Sequence, residues 1–392
     1  MKLKSIDYTQ FDDTDRKWSL SGLTLGSVNL VVGKNATGKT RTLNLINGLG
    51  MLASGRKKPA ELTTGRYQTT FEHDGRELHY TLEIKDKKVV TEEFKDGDRV
   101  LLQRGTGGAG IIYHEKEDKH FEFQTPETDA AVVARVDKIQ HTFLEPLSEW
   151  GAGVRHYAFG QTMGQTVIAI LMNDAPPPDP ADVNAVIALF RKGVKDFPIR
   201  FPEAVKRDMN DIGYDIEDVG VMPPTDMVIV GPSPVSVSPL ILYVKERDLP
   251  VVTQQTDMST GMFRALAVIV HVNYAVIASR PSCILIDDIG EGLDFDRSLG
   301  LIKIIQRKTA ESAVQLVMST NDRFVMNGVP LESWAILQRT GGSVKVRNFE
   351  NSKEIFDKFK FTGLNNFDFL RYDFIDENPE TVFEGLGADM AG

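Results

Sequence analysis

The octet GKNATGKT, from Gly33 to Thr40, constrains this chain more than any other feature of its sequence. It matches the pattern G-x-x-x-x-G-K-S/T, in which the glycines let backbone N–H groups curl around a phosphate. An apolar, strand-like run precedes the octet, and a helical pattern follows it, so that the positive end of the helix faces the phosphates. We therefore predict a nucleotide-binding loop. Its predicted binding residues are Gly33, Lys34, Asn35, Ala36, Thr37, Gly38, Lys39, Thr40 and Arg41.

Such a loop assigns chemical roles to two of its side chains. The Lys39 ammonium is expected to reach the β- and γ-phosphates and to act in catalysis, and the Thr40 hydroxyl is expected to hold Mg²⁺. A second metal contact is predicted in CILIDDIGEGLD, where Asp287 ends a short apolar strand and Asp288 follows it. Asp287 would hold Mg²⁺ through water, and Asp288 would polarise the attacking water. The alternative interpretation of this pair is a turn with helix caps.

Composition limits the remaining classes of protein. The chain has 392 residues, of which 41% are hydrophobic, and its single cysteine, Cys283, excludes an intramolecular disulfide. The polar start of the chain does not resemble a signal peptide. The longest apolar stretch, Met262–Ala278, is interrupted by Arg264, His271 and Asn273, which favours a buried helix over a membrane span. We expect a cytoplasmic protein without membrane contact. A net charge of −10 argues against a surface coated for nucleic acid.

Sequence periodicity predicts an α/β fold with a mixed or parallel sheet core, an antiparallel β lobe and a small helical insertion. Residues 65–114 alternate apolar and polar side chains between turn signals, which indicates an antiparallel meander. A helix is predicted over residues 130–150. From Met258 the pattern alternates between helices and strands, at 283–286, 298–309 and 314–318, as in a parallel sheet. The predicted parts are a first lobe (1–160), a helical insertion (161–224) and a second lobe (225–392).

A third motif, TDMSTGMFRALAVIVHV, places a polar turn at the start of a long apolar helix shortly before the acidic strand. With this motif the chain resembles the ABC-type ATPase heads of the SMC, RecF and OLD class. More narrowly, it resembles the compact AAA-family ATPases of that class in bacterial genomes. QRGTGGAG, the signature-like MSTGM, the acidic strand and VQLVMSTND follow the phosphate loop in the family's order. The resemblance covers most of residues 1–339. It implies a single ATPase head of P-loop type that binds ATP and Mg²⁺.

The resemblance also implies how two copies would work together. Two heads pair head to tail, and signature residues of one head cap the γ-phosphate held by the other. ATP then closes the dimer, and hydrolysis opens it. The corresponding signature residues are Ser259, Thr260 and Gly261, and the D-loop aspartate is Asp294.

Three further positions follow from the family pattern. Asp288 stands where the family carries a catalytic glutamate, and Asn321 stands where it carries a switch histidine. Both changes favour slow hydrolysis; the alternative is an ordinary ATPase that tolerates them. The glutamine that senses the γ-phosphate is placed at Gln161, with Gln165 as the alternative.

These inferences lead to three possible functions. The first is a dimerising nucleotide switch that hydrolyses ATP slowly and controls a separate nuclease or toxin in bacterial anti-phage defence. The chain shows neither the D-x-D pattern of a TOPRIM nuclease nor heptads for a long coiled coil. The second is a DNA-maintenance ATPase that clamps duplex DNA, which the balanced charge of residues 51–104 supports little. The third is an ATP-bound assembly scaffold without turnover.

Overall fold

The structure is a computed structural model that describes residues 1–12, 14–160, 163–171, 182–225, 238–278, 283–310, 312 and 314–375. Its strands are β1 (Lys2–Gln10), β2 (Trp18–Thr24), β3 (Val28–Val32), β4 (Gly65–His73), β5 (Arg76–Lys85), β6 (Lys88–Asp96), β7 (Arg99–Arg104), β8 (Ala109–His114), β9 (Lys119–Gln124), β10 (Val154–Ala158), β11 (Ala169–Leu171), β12 (Ile216–Met222), β13 (Ser238–Glu246), β14 (Thr253–Gln254), β15 (Cys283–Asp287), β16 (Gln315–Ser319), β17 (Trp334–Thr340) and β18 (Ser343–Asn348). Its α-helices are α1 (Lys39–Ala53), α2 (Ala131–Ala134), α3 (Glu145–Gly153), α4 (Val186–Asp196), α5 (Arg200–Asp211), α6 (Thr260–Ile277), α7 (Phe295–Ala310), α8 (Arg323–Gly328), α9 (Lys353–Lys360) and α10 (Asn366–Arg371).

The chain forms two compact units. The first contains Met1–Val154 and the chain from Val317 onward, and the second contains Arg155–Leu316. The lobe boundaries predicted at residues 160 and 224 stay predictions.

The first unit is built on a mixed sheet. Its strand order is β3-β17-β18-β2-β1-β4-β5-β6-β7-β8-β9. The pairs β3–β17 and β18–β2 are parallel, whereas β17–β18, β1–β2 and the strands from β4 to β9 pair antiparallel. The meander predicted over residues 65–114 is therefore confirmed, and β9 extends it by one strand. The predicted α/β class with an antiparallel lobe is likewise confirmed.

A buried ion pair fixes the middle of this antiparallel sheet. The side chains of Glu92 and Arg104 are fully buried and lie 2.8 Å apart. The Glu92 carboxylate also accepts hydrogen bonds from the backbone N–H groups of Ala131 and Val132, at 2.8 and 2.9 Å. These two N–H groups lie in the first turn of α2, so Glu92 caps that helix.

The helix predicted over residues 130–150 is interrupted. It is formed only at its two ends, as α2 and α3. Between them, the Asp137 carboxylate accepts hydrogen bonds from the N–H groups of Ile139 and Gln140, both at 2.7 Å. An aspartate that binds its own neighbouring backbone competes with the helix and favours a turn. The prediction of one continuous helix was therefore wrong.

The second unit surrounds α6 with helices and short strands. Most of α6 is buried, from Gly261 to Tyr274 without interruption. This helix of 18 residues is long and apolar enough to cross a membrane, but 83% of it is buried inside the protein, as in a core helix. The buried carboxylate of Asp208 on α5 binds Asn273 of α6 at 2.7 Å and Lys308 of α7 at 2.9 Å. This network links three helices of the unit.

Strands complete the second unit. β15 is buried along its whole length and neighbours β10. A smaller antiparallel sheet has the order β11-β13-β12, and β14 pairs with β13. The alternation of helices and strands predicted after Met258 is confirmed in α6, β15, α7 and β16.

Candidate nucleotide-binding loop and signature segment

The phosphate loop joins β3 to α1 in the first unit. A Cβ atom on Gly33 would lie 2.7 Å from Thr37 Oγ1 and 3.0 Å from the Leu337 carbonyl oxygen, so only glycine fits there. Gly38 has a φ of 108° and is the N-cap of α1. Because glycine has no side chain, it cannot cap the first N–H groups of the helix. Those groups, together with the positive helix end, form an anion-binding position.

Lys39 lies at the centre of this loop. The residue is 7% exposed. Its ammonium donates hydrogen bonds to the carbonyl oxygens of Gly33 at 2.9 Å and Lys34 at 3.4 Å. The hydroxyl of Thr37 donates to the same Lys34 carbonyl at 2.8 Å. The loop therefore closes around the ammonium, whereas Thr40, in the first turn of α1, is exposed.

Two contacts that the sequence did not predict hold the loop from outside. The Arg339 guanidinium donates a hydrogen bond to the Ala36 carbonyl at 2.8 Å. Ala36 has a φ of 64°, a left-handed conformation that is uncommon for alanine. Lys34 forms an ion pair with Asp373 at 2.6 Å. No sequence motif predicts either contact, because the two partners of each contact lie hundreds of residues apart in the sequence.

Arg41 faces β1 and β2 of the same unit. Its guanidinium lies 3.8 Å from the centre of the Trp18 ring and donates a hydrogen bond to the Gln10 side chain. Burial lowers the pKa of Arg41 from its usual value, and the neighbouring Arg339 charge lowers it further. The predicted binding residue is thus stacked on an aromatic ring beside the loop.

The acidic strand ends in the second unit with a sharp change of backbone direction. Asp287 is 5% exposed, and its carbonyl accepts a hydrogen bond from the Phe159 N–H at 3.0 Å. Asp288 follows with a φ of 53°. Aspartate enters this left-handed region more readily than most residues. The carbonyl of Asp288 then accepts from the Glu291 N–H at 3.1 Å, which starts the predicted D-loop turn.

The structure brings the predicted signature and D-loop together. The Ser259 hydroxyl caps α6 by accepting a hydrogen bond from the Met262 N–H at 3.2 Å. A Cβ atom on Gly261 would lie 2.1 Å from the Gly292 carbonyl oxygen, so the two backbones are in direct contact. Arg264 reinforces this contact by donating to the Glu291 carbonyl at 3.2 Å. Ser259 and Thr260 themselves are exposed.

Three other predicted positions differ in their surroundings. The Asp294 carboxylate accepts hydrogen bonds from Arg297, which lower its pKa, so it acts here as the cap of α7. Asn321 lies in the first unit, exposed, between β16 and α8. Gln161 lies outside the described residues. The alternative, Gln165, donates to the carbonyls of Gln255 at 3.2 Å and Met258 at 2.9 Å, directly before the signature.

No protein-family model matches the chain, and no curated protein sequence matches it. One similar solved structure is an Smc head bound to the C-winged helix domain of ScpA. The match has 13% sequence identity and a TM-score of 0.49, and it covers 90% of this chain and 100% of that chain. Another is an SMC head domain from Thermotoga maritima, with 12% sequence identity and a TM-score of 0.43. This match covers 89% of this chain and 99% of that chain. A third is an Smc head with an extended coiled coil, bound to the C-terminal domain of ScpA derived from Pyrococcus furiosus. It has 11% sequence identity and a TM-score of 0.49, and the match covers 92% of this chain and 99% of that chain.

Proposed function

We propose that this chain is a cytoplasmic ATP-binding protein of the ABC type that hydrolyses ATP slowly and works as a dimerising switch. The observation that carries the proposal is the phosphate loop. A nearly buried ammonium, that of Lys39, sits among loop carbonyls at the uncapped start of α1. A buried cation gains most from an anion, and the helix end favours one at the same place. The triphosphate group of a nucleoside triphosphate such as ATP supplies that anion.

The predicted metal ligands suit Mg²⁺. Thr40 offers a hydroxyl oxygen and Asp287 a carboxylate oxygen, and Mg²⁺ prefers such hard oxygen ligands. Within the described part of the chain, no group of three or more His, Cys, Asp or Glu side chains could hold a metal ion. A site with few protein ligands is typical of Mg²⁺ that is held mainly by phosphates and water. The bound ion would neutralise phosphate charge.

Slow hydrolysis is proposed from two side chains. The carboxylate of Asp288 is one methylene closer to the backbone than that of a glutamate, and its backbone turns away from the strand at a φ of 53°. Asn321 can donate a hydrogen bond to a phosphate oxygen but cannot carry the positive charge of a protonated histidine. Each difference weakens stabilisation of the charge that develops during phosphoryl transfer. The ATP-bound state is then long-lived.

The dimer is proposed from the surface that the signature presents. Ser259 and Thr260 are exposed at the start of α6, and Gly261 fixes their position against the D-loop backbone. Through these residues one copy would cap the γ-phosphate held by a second copy, with the two copies paired head to tail, as the family resemblance implies. The output is proposed to be control of a separate nuclease or toxin in bacterial anti-phage defence, which rests on that resemblance alone.

Light scattering with and without ATP–Mg²⁺, together with phosphate release, tests the proposal. The variants are Lys39→Ala and Asp288→Ala, with Lys138→Ala as the control because its side chain is 83% exposed. We expect ATP to double the mass of the wild type and of Lys138→Ala, with slow phosphate release. Lys39→Ala should stay unchanged by ATP, and Asp288→Ala should retain the larger assembly. Failure of ATP to bind the wild type would refute the proposal.

The other two functions give different results in the same experiments. A constant mass with no phosphate release would favour the assembly scaffold. Binding of duplex DNA whose affinity falls steeply with salt would favour the DNA-maintenance ATPase. A phosphate release rate equal to that of fast ATPases would contradict the slow switch while leaving ATP binding in place.

A further inference from the structure

A cleft lies beside the phosphate loop in the first unit. Its volume is about 890 Å³. Its walls are residues 34–37 of the loop on one side and the chain from Phe369 to Ile375 on another, and its floor is formed by β2, β17 and β18. Lys39 and Thr40 are not among its lining residues. The cleft therefore does not reach the ammonium or the helix start described above, although it shares residues 34–37 with the loop.

The floor of this cleft is rich in hydroxyl groups. Ser343 and Lys345 of β18 stand in register with Ser19 and Ser21 of β2. The hydroxyls of Ser19 and Ser343 lie 3.3 Å apart. Thr340 of β17 pairs with Ser343 across the hairpin and also lines the cleft. Such a row of short hydroxyl side chains can donate several hydrogen bonds to one bound molecule.

The charge of the cleft is positive, although the whole chain carries a net charge of −10. Lys34, Arg339 and Lys345 line it, and Asp373 is its one acidic lining residue. Asp373 is held on Lys34 at 2.6 Å. Lys345 has no ion-pair partner within the residues that the structure describes. Cations and hydroxyl donors around a concave surface are the groups that bind phosphate oxygens.

We propose that this cleft binds a phosphate-bearing small molecule, separately from the nucleotide at the phosphate loop. Its volume lies within the range of about 300–1,000 Å³ that is common for small-molecule sites. Asp373 occupies one of the anion positions and competes with the ligand for Lys34. A bound phosphate group takes over Lys34 and separates it from Asp373. The ligand thereby changes the outer support of the phosphate loop, because Lys34 belongs to both.

Titration calorimetry with inorganic pyrophosphate as the probe tests this site. The experiment uses the full chain carrying Lys39→Ala, which removes the ammonium of the phosphate loop but no residue that lines the cleft. We expect pyrophosphate to bind this protein at one site. Adding Lys345→Ala should weaken binding about three- to tenfold, the range between an exposed and a well-formed charged contact. Adding Asp373→Asn should strengthen binding by a similar factor, since it removes the competing carboxylate.

Lys358→Ala is the matched control, because this lysine is similarly exposed and lies in the same unit but outside the cleft. It should leave pyrophosphate binding unchanged. The proposal is overturned if the Lys39→Ala protein does not bind pyrophosphate. It is also overturned if Lys345→Ala behaves like the control, or if Asp373→Asn does not strengthen binding. ATP binding by the wild type and by Lys345→Ala tests the phosphate loop separately, so the failure of one proposal can be told from the failure of the other.

Discussion

Replacement of Gly261 by alanine should separate ATP binding from ATP-driven association. The added Cβ atom would lie 2.1 Å from the Gly292 carbonyl oxygen, 3.0 Å from the Gly292 carbonyl carbon and 3.2 Å from a Leu293 methyl group. A carbon and an oxygen that are not bonded normally stay more than about 3 Å apart, so the backbones must move by roughly 1 Å. Overpacking of this kind costs about 1–3 kcal/mol, and alanine's better helix propensity returns up to about 1 kcal/mol.

We therefore expect the Gly261→Ala protein to be destabilised by about 1–2 kcal/mol and its signature to be displaced from the D-loop. Light scattering with ATP–Mg²⁺ should show lost or much weaker association, while equilibrium ATP binding stays within about twofold of the wild type. Gly105→Ala is the control, because an added Cβ there meets nothing within 4 Å. If Gly261→Ala associates like the wild type and unfolds at the same temperature, the argument from this backbone contact is refuted.

Three further outcomes can be measured on the same protein. Asp288→Asn keeps a residue that accepts a left-handed backbone but removes the charge, so phosphate release should fall about a hundredfold while ATP binding persists; an unchanged rate would exclude Asp288 as the base. Glu92→Gln breaks a fully buried ion pair and should lower the free energy of unfolding by about 3–5 kcal/mol in urea titrations, with exposed Glu117→Gln as the control. Burial lowers the pKa of His271 to about 3, so its imidazole stays neutral in the folded protein. The unfolded imidazole takes up a proton below about pH 6.5, so stability should fall by about 2 kcal/mol from pH 7 to pH 5, and His271→Leu should remove that loss.

The parts of the fold that could be predicted depend on short-range patterns. The strand, loop and helix around residues 33–40 could be predicted because eight consecutive residues carry the backbone geometry of the loop. Strand alternation over residues 65–114 and the long apolar run of α6 are likewise local signals. The prediction of a helix over residues 130–150 failed because hydrophobic spacing does not reveal a side chain that hydrogen-bonds to the neighbouring backbone, as Asp137 does.

Contacts between distant parts of the chain could not be predicted in this way. Arg339 lies near the end of β17, and the parallel pairing of β17 with β3 brings it to the phosphate loop. Asp373 reaches Lys34 because phenylalanines of α9 and α10 pack together and fix the chain that follows; the Phe359 and Phe369 rings lie 4.8 Å apart.

These two distant contacts change how the loop itself should be understood. A phosphate loop is usually explained from inside, by glycines and a lysine that fit around phosphates. Here the same loop is also held from outside, at the Ala36 carbonyl by Arg339 and at the Lys34 side chain by Asp373. The Lys34 carbonyl accepts a hydrogen bond from the Lys39 ammonium, so a force on the Lys34 side chain acts on the residue that is predicted to contact the nucleotide. We therefore expect an anion that replaces Asp373 on Lys34 to alter the predicted nucleotide site without touching the nucleotide.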